Sequence, residues 1–253
     1  MAAEKRIALV TGASSGIGRE CALALAADGF HVAITGRREA ELNETASLAG
    51  NLSASILPVT ADVSDPDSVA RLFETVMREY GRLDLLFNNA GVALHEIPTD
   101  ELPLDKWKQL MDINVTGSFL CAQQALRIMT RQPPKGGRII NNGSVSAHVP
   151  RAKSVAYTVS KHAITGLTRS IALDYRDDNI CCCQIDIGNA SVPRTMETVM
   201  GSLTQADGGK RPEAQMSVGN VAKTVVFLAN LPLEANVPFM TVMANAMPYM
   251  GRG

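Results

Sequence analysis

The chain has 253 residues, 46% hydrophobic and 19% charged, with a formal net charge of -1. That length and composition fit one large α/β domain with a sizeable core and exclude a disordered chain, while near-neutrality without basic runs argues against nucleic acid or an anionic membrane as the main partner. No apolar stretch reaches the ~18 residues of a bilayer span, and residues 1–6 are charged and lead straight into a strand, so the sequence reads as soluble and cytoplasmic.

Arg6-Ile7-Ala8-Leu9-Val10 has the pattern of a strand buried on both faces. It runs into Thr11-Gly12-Ala13-Ser14-Ser15-Gly16-Ile17-Gly18, and residues 19–27 follow as an alanine- and leucine-rich helix. In that strand, turn and helix context Gly12 permits a tight turn, Gly16 lets a pyrophosphate reach the backbone, and Gly18 lets helix and strand pack closely. The helix N-terminus favours negative charge. Ser14, Ser15 and Ile17 belong to the same candidate cofactor loop, for which an ordinary βα turn is the alternative. Residues 31–35 form the second strand and close a βαβ unit. Gly36-Arg37-Arg38 follows. A dinucleotide site places at this strand end either an acidic residue for the ribose hydroxyls or an arginine for a 2′-phosphate. Gly36 and Arg37 therefore favour NADP(H), with Arg38 adding charge at longer range. NAD(H) is the alternative, through Glu39 or Glu41, although both start the next helix and point outward.

Residues 39–49 read as that helix and residues 55–60 as a third strand, with Asp62 and Val63 just past its carboxyl end. Asp65 and Pro66 open another helix as N-cap and first-turn proline. Residues 83–87 form the fourth strand, ending in Asn88-Asn89-Ala90-Gly91. The amides there can tie neighbouring loops together, and Ala90 and Gly91 leave room for a flat ligand; a plain turn is the local alternative. Residues 104–128 read as one long helical stretch, broken early, with Asn114 in its middle. Its amide either caps a local irregularity or carries a hydrogen bond inward. Residues 138–142 form the strand that delivers Ser144, residues 155–175 a helix, and residues 180–187 a further strand. Residues 188–215 are rich in Gly, Pro, Ser and Thr and read as a functional lid with a short helix around 196–200. Residues 218–229 and 238–243 are the last helix and strand. Strands and helices alternate throughout, which implies a parallel sheet covered on both faces. The five cysteines read as reduced core residues, and no Cys or His cluster has metal-ligand spacing, so no metal is expected.

Ser144, Tyr157 and Lys161 stand in S-x12-Y-x3-K spacing. On a helix Tyr157 and Lys161 share one face. An ammonium beside a phenol favours the phenolate, which suits it to proton exchange with a carbonyl or alcohol whose oxygen Ser144 can hydrogen-bond. The triplet alone is common in helices, and its bland reading is a solvated lysine and a half-buried tyrosine.

Taken together, these residues resemble the short-chain dehydrogenase/reductase family over almost the whole chain. Thr11 to Gly18 is similar to its TGxxxGxG loop, Asn88 to Gly91 to its NNAG motif, and Asn114, Ser144, Tyr157 and Lys161 to its catalytic tetrad, in the expected order. The resemblance implies a single doubly wound Rossmann-type domain over residues 1–253 with a parallel, seven-stranded sheet. It also implies adenine contacts from Asp62 and Val63, and cofactor contacts from Asn89, Ala90, Gly91 and Gly188. Tyr157 would be the general acid or base, Ser144 would orient the substrate oxygen, Lys161 would favour the phenolate and bind the nicotinamide ribose, and Asn114 would hold a water linking Lys161 to solvent. The expected partner is a small carbonyl or alcohol substrate, and the expected assembly is a homo-oligomer, a tetramer. The sequence departs from the family at Ile187-Gly188-Asn189-Ala190-Ser191-Val192, where Gly188 is kept but Ile187 and Val192 replace the usual Pro and the following Thr, so that Ser191 or Thr195 would have to supply the hydroxyl. It departs again at Ala244-Asn245-Ala246. Hydride transfer between NADP(H) and an alcohol or ketone is the favoured activity; a cofactor-binding sensor of the same fold with little turnover is the alternative. Arg151 could pair with a substrate carboxylate, but reads more simply as an exposed loop arginine.

Overall fold

The computed structural model describes residues 5–192, 203–205 and 207–250. Its centre is a sheet of apolar strands: β1 (Arg6–Thr11), β2 (Phe30–Gly36), β3 (Ile56–Thr60), β4 (Leu85–Asn88), β5 (Gly137–Asn142) and β6 (Ile180–Ile187). Every residue of β4 and β6 is buried, as apolar runs without alternation require. Both faces are therefore covered by helices. On one face α1 (Gly16–Ala27) packs with the last helix of the chain, Val218–Asn230, around Cys21, Leu25, Val221 and Val225. On the other, Pro66–Tyr80, Gly117–Met129 and Val155–Asp174 pack around Leu72, Phe73, Cys121, Ala125 and Ile171.

Numbered in chain order, the helices are α1, α2 (Glu39–Leu48), α3 (Pro66–Tyr80), α4 (Leu104–Met111), α5 (Gly117–Met129), α6 (Val155–Asp174) and α7 (Val218–Asn230). The short strands are β7 (Ala190–Ser191), β8 (Leu203–Thr204), β9 (Lys210–Arg211) and β10 (Met216–Ser217), and the last strand is β11 (Phe239–Val242). The main sheet is seven-stranded, ordered β11-β6-β5-β4-β1-β2-β3, and its pairings are parallel. Connections run outward in opposite directions from the neighbours β1 and β4. In such a doubly wound sheet, the carboxyl ends at that reversal open a crevice.

Local chemistry accounts for the boundaries. Asp65 caps α3 by accepting the Asp67 amide at 3.1 Å, Pro66 occupies its first turn, and Gly81 ends it in the left-handed region at φ 74°. Its buried residues Val69, Leu72, Phe73 and Val76 fall at helical spacing.

Three expectations need correction. Residues 104–128 are not one helix: a π-helical turn, Asp112–Thr116, joins α4 to α5. Asn114 lies in that turn, and its amide bonds inward, to Val92 and Ser160, rather than capping the turn. Residues 188–215 are not a plain loop either. Strand β7 pairs in parallel with β10, and β8 pairs antiparallel with β9, so described parts of the segment carry their own hydrogen-bonded structure. The helix expected at 196–200, like Thr195, lies outside the described residues. The strand read as 83–87 is observed as Leu85–Asn88, so the first asparagine of the motif belongs to the sheet.

Candidate active site

The glycine loop leaves β1 and enters α1 under tight steric control. Gly12 has φ +66°, and a Cβ there would lie 2.8 Å from the Ala90 Cα; a Cβ on Gly18 would collide with the Gly12 carbonyl oxygen. Asn89 locks this loop to its neighbours. Its Nδ2 donates to the carbonyl oxygens of Thr11 at 2.8 Å and Gly12 at 3.3 Å, and its Oδ1 accepts from Asn142 Nδ2 at 2.8 Å. The Thr11 hydroxyl accepts the amides of Asn89 and Ala90, each at 2.9 Å. The ends of β1, β4 and β5 are thus held together by one side chain. Helix α1 begins without a side-chain cap from Ser15 and without an acidic residue in its first turn. Its N-terminal amides and dipole suit an anion, so the loop fits a dinucleotide pyrophosphate.

At the end of β2 the two arginines diverge. Arg38 reaches the glycine loop, donating from Nη2 to Ser14 Oγ at 3.0 Å and Ser15 Oγ at 3.3 Å, while its Nη1 lies 3.1 Å from Glu41. Arg38 is thus tied to the glycine loop, and Glu41, which does not line the cleft, pairs with it. Arg37 lies toward Asp62. Burial alone would raise the Asp62 carboxyl, but the Ser64 hydroxyl and amide, together with Arg37, hold it below its ordinary value. Val63 is buried beneath Gly117.

Ser144 follows β5 in an extended conformation and caps a single turn, its Oγ accepting the Ser146 amide at 3.1 Å. Behind it stands Asp186, 1% exposed, which accepts the Ser144 amide at 3.1 Å and Gln184 Nε2 at 2.7 Å, and meets His148 Nε2 at 2.8 Å. On α6 the half-buried Tyr157 ring has the Lys161 ammonium 5.6 Å from its centroid on one side and the His95 ring, edge-on, at 5.4 Å on another. Lys161 is buried and donates to the Asn142 carbonyl at 2.7 Å. Asn114 accepts the Val92 amide at 2.8 Å, and donates to the Val92 carbonyl at 2.9 Å and to Ser160 Oγ at 3.2 Å, tying the π-helical turn to the loop after β4 and to α6.

One cleft of about 1080 Å³ is lined by Gly12, Ser14 to Gly18, Arg37, Arg38, Asp62, Val63, Asn89 to Glu96, Ser144, Tyr157, Lys161 and Gly188. It therefore gathers the predicted cofactor and catalytic residues except Asn114, which sits behind its wall, and it is lined by Ala190 and Val192 but not by Ser191. Among residues the sequence reading missed, His95 and Glu96 line the cleft without any motif to announce them. Asp186 left a readable signal, an acid inside an otherwise apolar strand. Arg151 is not an exposed loop residue: its side chain is 10% exposed and paired with Glu213.

The short chain dehydrogenase family model matches residues 6–201. The chain belongs to the short-chain dehydrogenase family. It is an NAD(P)-dependent oxidoreductase of that family. This short-chain dehydrogenase is 36% identical to the oxidoreductase YohF of Escherichia coli (strain K12), over 84% of the chain and 81% of that relative. It is similar in structure to the acetoin dehydrogenase YohF from Salmonella typhimurium, with a TM-score of 0.77 and 31% identity, covering 94% of this chain and 95% of that one. It is also similar to a single-substitution variant of actinorhodin polyketide ketoreductase with NADPH, with a TM-score of 0.83 and 25% identity, covering 96% and 97%. Among the described residues, no helix is long and apolar enough to cross a membrane and no cluster is fit to hold a metal.

Proposed function

We propose that this short-chain dehydrogenase interconverts a small ketone and its alcohol with NADP(H), within one domain and with Tyr157 as the proton-exchanging group. The observation that carries the reading is the continuous cleft running from the paired arginines, past the glycine loop, to Ser144, Tyr157 and Lys161. A bound nicotinamide supplies or accepts the hydride. The phenol of Tyr157 gives its proton to the nascent alkoxide in reduction, and its phenolate takes the proton from the alcohol in oxidation. Ser144 orients the substrate oxygen, with its backbone fixed by Asp186. Lys161 stands beside the Tyr157 ring and would hold the nicotinamide ribose, and Asn114 holds the loop after β4 against α6 so that these groups keep their spacing. Gly36, Arg37 and Arg38, with the Ser14 hydroxyl, favour a 2′-phosphate over a bare ribose.

The acetoin dehydrogenase to which the chain is similar acts, by its name, on a small neutral hydroxyketone, and the aliphatic lining from Leu94, Val145 and Val192 suits a substrate of that class. We further propose a homotetramer. The exposed Phe119 on α5, Val159 and Leu173 on α6, and Phe227 on α7 are apolar side chains on the helices through which the family commonly associates.

The test is a cofactor-oxidation and reduction screen of purified protein against ketones, aldehydes and alcohols with each nicotinamide cofactor, repeated with Tyr157→Phe. Turnover should fall ~10²–10⁴-fold in the variant while NADPH affinity stays nearly unchanged. A variant active within a few-fold of the unmodified protein rejects the tyrosine assignment; NADPH binding without turnover of any compound favours a sensor.

A further inference from the structure

The substrate end of the cleft contains a cation that the proposed reaction does not use. Arg151, on the turn between Ser144 and α6, lines the cleft. A guanidinium facing a substrate pocket is a ready anchor for a carboxylate, which it grips through forked hydrogen bonds. Here its charge is already paired, although Nη1 meets no acceptor at hydrogen-bonding geometry among the described residues. Nη1 lies 3.0 Å from Oε2 of Glu213, Nη2 donates to Asn189 Oδ1 at 3.2 Å, and Asn189 Nδ2 donates to the same Glu213 oxygen at 2.8 Å. The three side chains close a triangle. Glu213 is 1% exposed and does not line the cleft, so its carboxylate faces the arginine rather than a ligand. A carboxylate this deeply buried is tolerable only when paired, which fixes it to Arg151.

The other charged groups nearby also have partners. Lys161 is directed at the Asn142 carbonyl. Glu96, on the cleft wall, accepts the Thr204 amide and hydroxyl at 3.0 and 2.8 Å and lies 3.2 Å from Lys210. An anion entering past these groups meets a second carboxylate and no uncompensated guanidinium.

We propose that Glu213 is a specificity-determining residue: by neutralising Arg151 it restricts the site to uncharged ketones and alcohols and turns away those bearing a carboxylate. The proposal rests on the oxidoreductase reading above and narrows its substrate class. Removing the negative charge would free the guanidinium at the cleft wall and convert a site for neutral compounds into one for acids.

The experiment compares kcat/KM for 4-oxocyclohexanecarboxylate and its methyl ester in the unmodified protein and in Glu213→Gln. In parallel, calorimetry of the NADPH-loaded protein compares cyclohexanecarboxylate with cyclohexanecarboxamide, which reads charge discrimination without turnover. The unmodified protein should prefer the ester and the amide. Glu213→Gln should shift both ratios toward the acid by roughly 10- to 150-fold, the range for one charge-assisted hydrogen bond. Equal or better use of the acid by the unmodified protein, or ratios in Glu213→Gln within twofold of it, overturns the proposal. If Glu213→Gln does not fold, the uncharged double variant Arg151→Gln/Glu213→Gln should keep the ratios of the unmodified protein, and a shift toward the acid overturns it. Discrimination by calorimetry without turnover of either ketone rejects the oxidoreductase reading and leaves the neutral site standing.

Discussion

Arg37 and Arg38 follow the same strand and reach different partners, yet both line the cleft where a 2′-phosphate would sit. Arg38 is braced by Ser14, Ser15 and Glu41, whereas Arg37 is biased only by the field of Asp62. Each of Arg37→Ala and Arg38→Ala should weaken NADPH by roughly 10- to 150-fold and leave NADH nearly unchanged, as read by fluorescence titration. Equal loss for both cofactors would mean that the arginines shape the loop rather than bind a 2′-phosphate. The five cysteines are all free and buried. Burial pushes the thiols of Cys121 and Cys183 up to about 12, so almost none of either is thiolate at neutral pH. Rapid thiol titration of the native protein should therefore find essentially no reactive group, and all five should react in denaturant. At this scale the sequence announced the glycines, the tetrad and the Asn-Asn-Ala-Gly turn because each is a short pattern with fixed spacing. It could not announce His95 or Glu213, because nothing local distinguishes them from any exposed residue until the fold brings them to Tyr157 and Arg151.

Elements show the same division between local and remote causes. Asp65 and Pro66 gave the start of α3 in advance, but the π-helical turn at Asn114 follows from contacts with Val92 and Ser160, which no helical periodicity reports. Strand β5 carries another remote feature: the guanidinium of Arg138, 2% exposed, donates to the carbonyls of Leu231, Pro232 and Ala235 and to Asn236 Oδ1. It fastens the turn between α7 and β11 to the sheet. Arg138→Met should lower unfolding free energy in urea by roughly 3–5 kcal/mol, because several buried acceptors lose their donor at once. A loss under ~1 kcal/mol would show that water replaces the guanidinium. The β8–β9 hairpin is held at Glu96. The Thr204 amide, against the cost of burial and with help from the Thr204 hydroxyl and Lys210, brings the Glu96 carboxyl down to about 2. A group depressed in this way contributes to docking above its ordinary ~4.3 and loses that contribution as the pH falls toward about 2. Docking should therefore persist through mildly acid solution. Because the pair is largely solvated, Glu96→Gln should speed hydrogen exchange at Thr204 and Lys210 only about 1.4- to 5-fold at neutral pH. Rates that do not change would place the anchor elsewhere.

At the scale of the molecule, alternation of strand and helix was enough to read a parallel sheet with both faces covered, because apolar runs without period two leave no solvent face. Assembly is a separate question. If Phe119, Leu173 and Phe227 lie in subunit contacts, light scattering should return a mass four times that of the chain, and Phe227→Glu should lower it; a monomer at micromolar concentration would reject the tetramer. The position of β4 beside β1 also bears on the order in which a ribosome delivers this chain. Strands β1, β2 and β3 emerge together and can pair, yet the glycine loop waits for Asn89, whose amide groups restrain the carbonyls of Thr11 and Gly12. The opposite wall of the cleft, from Ser144 to Lys161, emerges later still. Synthesis runs from the N-terminus and domains fold as units, so a nascent chain presents its phosphate loop long before it presents a place for the nicotinamide. The dinucleotide can stabilise this protein only after most of it has left the ribosome, as a late clamp on a formed sheet rather than a template for its first half.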